Sequence, residues 1–203
     1  MCARTQKMQV VLASSSPRRT ELLTQGKIRH LVMPSHCEEV ITSDVPSQVV
    51  EELSAQKAED VYRQYEKEHS EDFLVIGSDT VVAVAGKILG KPKDEEDAFQ
   101  MISMLQGKAH QVYTGVTLLI KKDGKKIRKT FHECSDVHVY PMSKEEIREY
   151  IATGEPMDKA GAYAIQGLGS KFINRIDGDY YAIMGLPVNE LYKHLKQYNL
   201  TSI

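Results

Sequence analysis

Apolar residues switch between two spacings along this chain, and the switches mark its elements. Met8 leads into an apolar run, Val10 to Ala13, that reads as a short buried strand. The polar SSSPRR stretch ends it. Ser15 or Ser16 can cap a helix there, Pro17 suits the first helical position, and Glu21, Leu22 and Leu23 continue it to Gly26. Ile28 to Met33 predicts a second strand. From Pro46 to His69 the chain is mostly polar, but Val49, Val50, Leu53, Ala58, Val61 and Tyr65 fall at helical spacing, which predicts a long surface helix. Phe73 to Gly77 predicts a buried strand that ends at Ser78-Asp79-Thr80. The stretch VVAVAGKILGKP alternates weakly and turns at Ala85-Gly86, as a hairpin does.

Asp94 to Gln106 has an acidic first turn followed by Ala98, Met101, Ile102 and Leu105 on one helical face. His110 to Ile120 gives the strongest strand pattern. KKDGKK places Asp123-Gly124 at a turn, and Ile127 to Tyr140 returns as the partner strand. Ser143 and Glu146 form a capping box for a helix through Thr153, stopped by Gly154. Lys171 to Ile176 predicts a strand, DGDYYAIMG a turn region, and Leu186 to Tyr198 a closing helix. Alternating strands and helices with one long central hairpin predict an α/β fold on a mixed sheet.

Composition narrows the classes. The chain has 203 residues, enough for one domain or two closely joined lobes around a real core. With 41% apolar and 27% charged residues it belongs with soluble globular proteins. Twenty-six Lys and Arg against 28 Asp and Glu leave a net charge of −2. That argues against a long nucleic-acid track or a polybasic membrane anchor, though not against one small anion in a local basic pocket. Cys2, Cys37 and Cys134 form no CxxC pair, which suits reduced thiols in a cytoplasmic setting. The apolar run near the start is too short for a signal peptide or a membrane span. The 7 histidines show neither HxxxH nor HExxH spacing, so no zinc site is expected.

Four segments carry candidate chemistry. In Ser14-Ser15-Ser16-Pro17-Arg18-Arg19 a strand feeds a Ser-rich turn that opens a helix. The free N–H groups of such a helix start and the two guanidinium groups suit phosphate oxygens. Asp79, expected just past the end of a buried strand, can hold a hard divalent cation or orient a water. Lys91 in Gly90-Lys91-Pro92 projects a point charge from extended backbone. Residues 157–169, MDKAGAYAIQGLG, set Asp158, Lys159 and Gln166 among small residues and three glycines, in a loop that lets a ligand approach the backbone. Glu38, Glu39 and Lys57 are weaker candidates. Thr114 to Val116 reads as plain strand.

In order along the chain, LASSSPRRTELL, VIGSDTVV, GKILGKP, HQVYTGV, GEPMDKAGAYAIQGLG and Met184-Gly185-Leu186-Pro187 resemble the motifs of the Maf family of nucleoside triphosphate pyrophosphatases. Each motif is weak alone; six in order, from about Val11 to Leu195, are specific. The resemblance implies a Maf/ITPase-like α/β fold: a long mixed sheet flanked by helices, with two lobes and a central cleft, as one domain over residues 1–203 with 1–7 an extra leader. It implies hydrolysis of a nucleoside triphosphate to the monophosphate and pyrophosphate with a divalent metal, Mg²⁺ or Mn²⁺. Carried over residue by residue, Asp79 is the catalytic acid/base and, with Glu39, the metal ligand. Ser14, Ser16, Arg18, Arg19, Lys57, Thr80, Lys91, Asp158, Lys159 and Gln166 bind substrate. Arg18, Thr80 and Gln166 match the branch that acts on dTTP and UTP. The branch acting on 7-methyl-GTP typically has an aromatic before the second Arg, Gln after the Asp, and Glu in place of the Gln. A nucleoside triphosphate is the expected partner, with no membrane and no stable nucleic-acid complex, and a homodimer by analogy alone. The competing expectation is a nucleotide- or nucleic-acid-binding regulator of cell division without turnover. The Asp79 carboxylate argues against it, since beside phosphates it repels them unless a metal intervenes.

Overall fold

The computed structural model describes residues 8–198 and 200; the expected leader, 1–7, lies outside them. Strand β1 (Gln9–Ala13) is followed by α1 (Pro17–Gln25), β2 (Leu31–Val32) and the long α2 (Pro46–Glu68). Then come β3 (Phe73–Val84), β4 (Lys87–Leu89), α3 (Glu95–Leu105), the long pair β5 (Ala109–Lys122) and β6 (Lys125–Val139), and α4 (Lys144–Ala152). Three 3₁₀ turns, Glu155–Asp158, Ala160–Ala162 and Leu168–Phe172, lead to β7 (Ile173–Asp177), α5 (Tyr180–Met184) and α6 (Val188–Gln197). The strands form a 7-stranded sheet in the order β2-β1-β3-β5-β6-β7, with β4 paired to β3. β1 runs parallel to β2 and β3, and the other pairs are antiparallel, so the sheet is mixed.

Strand β3 organises the molecule. Because side chains alternate faces, one face of β3 carries Leu74, Ile76, Ser78, Thr80, Val82 and Val84. Leu74 and Ile76 pack with Leu22, Leu23, Leu191 and Leu195 of α1 and α6. Val82 and Val84 pack with Met101, Ile102 and Leu105 of α3 and with Ile147 and Ile151 of α4. One strand face thus supports two cores, and the polar Ser78 and Thr80 separate them. This is the division into two lobes. The other face carries Phe73, Val75, Gly77, Asp79 and Val81, under α2. Every residue of β3 is buried except Asp79 and Thr80, which are part-exposed.

Three sequence expectations need correction. The strand predicted to end at Gly77 continues to Val84, paired with β5 along its length. Asp79 is therefore mid-strand, opposite Gly115, rather than beyond a strand end. Ser78, Asp79 and Thr80 read as turn residues, but pairing with β5 overrides that local preference. The second strand shrinks to Leu31–Val32, because only these residues pair with β1. The DGDYYAIMG turn region contains the short helix α5, which Asp179 caps through the Tyr181 N–H. The capping box of α4 and the hairpin turn at Ala85-Gly86 form as predicted.

Helix α2 lies unusually close to the sheet. A side chain on Gly77 would overlap the backbone at Ser54 and Ala58, and one on Gly115 the backbone at Val50 and Glu51. These adjacent glycines are places where helix backbone rests on strand backbone. Gly115→Ala is expected to force α2 outward and to destabilise the fold by about 1–3 kcal/mol, read from the urea unfolding midpoint.

His110 sits buried at the start of β5, its Nε2 bonded to the Tyr163 hydroxyl at 2.8 Å and its Nδ1 without a partner among the described residues. Burial, with a smaller contribution from the charge of His138, lowers its pKa to about 4. The unfolded chain takes up that proton at about pH 6.5. Between those values the unfolded state binds more protons, so stability falls as pH drops from about 6.5 towards about 4. The expected loss is up to about 3 kcal/mol. Denaturant titrations of wild type and His110→Phe over this range test it: the variant should show a flatter pH slope.

Candidate active site

A cleft of about 900 Å³ lies over the polar interruption of β3, between the two lobes. Its floor is Asp79 and Thr80. Ser14, Ser15, Ser16, Arg18 and Arg19 border it from the β1–α1 turn, and Glu39 and Lys57 from the α2 side. Lys91 enters from the β4–α3 connection. Asp158, Lys159 and Gln166 enter from the glycine-rich segment. All the candidate residues carried over from the sequence line this one cleft except Glu38, which is exposed and outside it.

Three cationic groups are tied down. Lys57 lies one helical turn past Ser54, where α2 rests on Gly77. Its ammonium therefore reaches Asp79, to which it is hydrogen-bonded, and it also pairs with Glu39 at 3.0 Å. Lys57 and Asp79 are only 17% and 14% exposed at their side chains, so solvent screens this pair less than a surface ion pair. Arg19 is buried. Its Nε donates to the Gly185 carbonyl at 2.8 Å, its Nη1 to Ser14 Oγ at 2.9 Å and its Nη2 to Thr80 Oγ1 at 3.3 Å. Burial lowers its pKa, opposed by the charge of Asp79. These three bonds lock the β1–α1 turn, β3 and the turn after α5 together, and leave two of five N–H donors for an anion. Lys159 is held by Asp158, whose carboxyl lies below its ordinary range; burial works against that lowering and the Lys159 bond and charge outweigh it.

By contrast, the side chains of Arg18, Lys91 and Gln166 have no hydrogen-bond or ion-pair partner among the described residues. The Ser16 side chain makes no cap bond either, although Pro17 takes the first helical position as the sequence indicated. The first-turn N–H groups of α1 therefore stay open at the cleft.

Several features were not visible in the sequence. Residues 33–45 form no regular element, yet α2 holds them with side chains one turn apart. Gln48 accepts from Ser43 Oγ at 2.6 Å, and Glu52 from the Thr42 hydroxyl and N–H at 2.6 and 3.0 Å. Gln56 exchanges bonds with the Val40 backbone at 2.9 and 2.6 Å. Asp60 accepts from Ser35 Oγ and the His36 N–H at 2.7 and 3.0 Å. This ladder carries Glu39 to the cleft; the spacing 48, 52, 56, 60 was its signal in the sequence. Thr114, read as plain strand, is in a strand, but its Oγ1 bonds Thr80 at 2.8 Å and donates to the Ala182 carbonyl at 2.7 Å, fixing the cleft floor.

Chemically, the cleft combines a half-buried carboxylate against an ammonium, a second carboxylate, free cations and an open helix start. That set suits a polyanion and a water to be deprotonated beside it.

Comparison with known proteins agrees. The family model described as "Maf-like protein" matches residues 9–198. The dTTP/UTP pyrophosphatase of Agathobacter rectalis is 52% identical over 93% of this chain and 97% of its own length. That of Lachnoclostridium phytofermentans is 48% identical over 95% and 96%, and that of Carboxydothermus hydrogenoformans 45% over 94% and 99%. The six motifs, the mixed sheet with its interlobe cleft and this family match together show that the chain belongs to the Maf family.

Proposed function

We propose that this protein is a pyrophosphatase that hydrolyses dTTP and UTP to the monophosphate and pyrophosphate by water attack on the α-phosphorus. The observation that carries the reading is Asp79: a carboxylate at the one opening in a buried strand, held by Lys57 in a cleft lined with cations. The names of the relatives support the substrate class. Among the described residues no helix is long and apolar enough to cross a membrane. A cytoplasmic setting is part of this reading, in keeping with the free thiols of Cys37 and Cys134.

The donor set fits a divalent cation. Glu39 and Asp79 both pair with Lys57 Nζ, so the two carboxylates lie close together, and a cation bound to them would share them with that ammonium. Two carboxylates completed by phosphate oxygens and waters are a normal Mg²⁺ or Mn²⁺ arrangement. When bound, such a cation would offset the charge of the triphosphate and favour ionisation of a nearby water.

The chain's own residues then divide the work. Asp79 Oδ accepts the proton of a water aimed at the α-phosphorus, while Lys57 keeps that carboxylate in place. Arg18, Lys91, Lys159 and the α1 start grip the phosphates, with Ser14 and Ser16 beside them. Arg19 acts from behind, holding Ser14 and Thr80, and Asp158 sets Lys159. Gln166 faces the cleft with a free amide, which offers both a donor and an acceptor. That pair matches the O4 and N3–H edge of uracil or thymine; a Glu there only accepts, and would suit the donor edge of guanine. Arg18, Thr80 and Gln166 set the substrate choice in this account.

Pyrophosphate release from dTTP, UTP, CTP, GTP and 7-methyl-GTP, with Mg²⁺ or Mn²⁺, tests the reading. The expected result is metal-dependent turnover led by dTTP and UTP, reduced at least about 100-fold in Asp79→Asn. Nucleotide binding without any turnover would favour the regulator instead. Gln166→Glu should shift preference from UTP towards guanine nucleotides in the same assay. An unchanged UTP/GTP ratio would exclude Gln166 as the reader of the base.

A further inference from the structure

The Gln166 side chain has no hydrogen-bond partner among the described residues, so the backbone on either side sets its direction. Glu155, outside the cleft, holds that backbone. Its Oε2 accepts the Leu168 N–H at 2.9 Å, and its Oε1 accepts the Gly169 N–H at 2.9 Å and the Tyr150 hydroxyl at 2.8 Å. The Tyr150 hydroxyl in turn accepts the Ala164 N–H at 3.0 Å. The anchors fall at 164, 168 and 169, on both sides of Gln166. Just after Ala164, Ile165 is buried in the first core, while Ala162 is buried in the second.

The local sequence is shaped around this carboxylate. Gly167 has φ +109°, and a side chain there would collide with the Glu155 carboxylate. A side chain on Gly169 would collide with the Tyr150 hydroxyl and the Ala164 carbonyl. The Glu155 carboxyl is held below its ordinary range: burial opposes this, and the Leu168 and Gly169 N–H groups and the Tyr150 hydroxyl outweigh it. The phosphate-side end of the segment has separate anchors, from the Lys159 N–H to the Pro156 carbonyl at 3.1 Å and from the Gly161 N–H to the Gly90 carbonyl at 2.9 Å.

We propose that Glu155, with Tyr150, is a positioning residue for base selection: its carboxylate clasps the 164–169 backbone and so sets Gln166 against the nucleobase. The inference rests on the functional reading above, in which Gln166 meets the base. Because the phosphate end is held separately, loosening the clasp acts on the choice of base more than on the chemical step.

The test is a double-mutant cycle on the full chain, with kcat and KM measured for UTP and GTP in wild type, Glu155→Gln, Gln166→Ala and the double variant, after thermal melts establish folding. In Glu155→Gln one acceptor becomes an NH₂ group that faces N–H donors. The kcat/KM ratio of UTP to GTP should fall about tenfold, through KM, with kcat for UTP changed less than about threefold. In the Gln166→Ala background the same substitution should move the ratio less than about twofold. Tyr150→Phe should shift the ratio in the same direction by less, and it decides the matter if Glu155→Gln does not fold. A folded Glu155→Gln (or, in its place, Tyr150→Phe) with an unchanged ratio overturns the clasp, as does an equal fall in the Gln166→Ala background or a loss confined to kcat. If Gln166→Ala collapses the wild-type preference for UTP while the clasp variants do not, only the clasp fails. If wild type shows no such preference, the functional reading fails and the clasp with it.

Discussion

The contact of α2 with the sheet at Gly77 and Gly115 is the constraint on which the site depends. With no Cβ on either glycine, helix backbone rests directly on strand backbone, and Lys57 comes down beside Asp79. A longer helix–sheet distance would leave a half-buried carboxylate without its cation, a costly arrangement at low local dielectric. The same approach brings Ser54 Oγ within 3.0 Å of Thr117 Oγ1, so the polar groups trapped under the helix satisfy one another. Helix α2 then extends its control outward, since its ladder of polar side chains holds the strap that delivers Glu39.

Strand β3 supplies the other half of the design. Its two faces serve different ends: one carries Asp79 towards α2, while the other carries Thr80 towards Arg19 and the turn after α5. Burial everywhere else along β3 makes that pair of positions rigid. Of the groups without a partner among the described residues, Arg18 sits in the first turn of α1, and Lys91 and Gln166 sit on connections around this scaffold. Function placed on loops over a fixed frame is a common solution. Here the loops are themselves anchored, by the strap ladder on one side and by the Glu155 carboxylate on the other.

Much of this was legible in the sequence, for identifiable reasons. Helical spacing in α2 and α3 and the capping box of α4 are local signals, and they gave those elements closely. The motif order gave the residues that meet in the cleft. What stayed hidden depends on long-range pairing. Ser78-Asp79-Thr80 has turn-like composition, so only the pairing with β5 reveals that β3 runs through it. Gly77 and Gly115 look unremarkable until α2 is seen resting on them. Arg19 and Arg18 are neighbours with the same chemistry, yet one is held by three hydrogen bonds and the other has no partner among the described residues; nothing in RR distinguishes them. Lys57 is only a weaker candidate from its own segment, and is half of the central ion pair because of where α2 is seated.

In the proposed reaction, water attacks the α-phosphorus of a pyrimidine triphosphate held in this cleft. The most direct measurement is hydrolysis of UTP in ¹⁸O-enriched water, with the label located in the products by mass spectrometry. Attack at the α-phosphorus puts one ¹⁸O in UMP and none in the pyrophosphate. Label in pyrophosphate would mean attack on the β-phosphorus, and labelled orthophosphate with UDP would mean attack on the γ-phosphorus. Either result would contradict the proposed placement of Asp79 and the phosphate-binding residues.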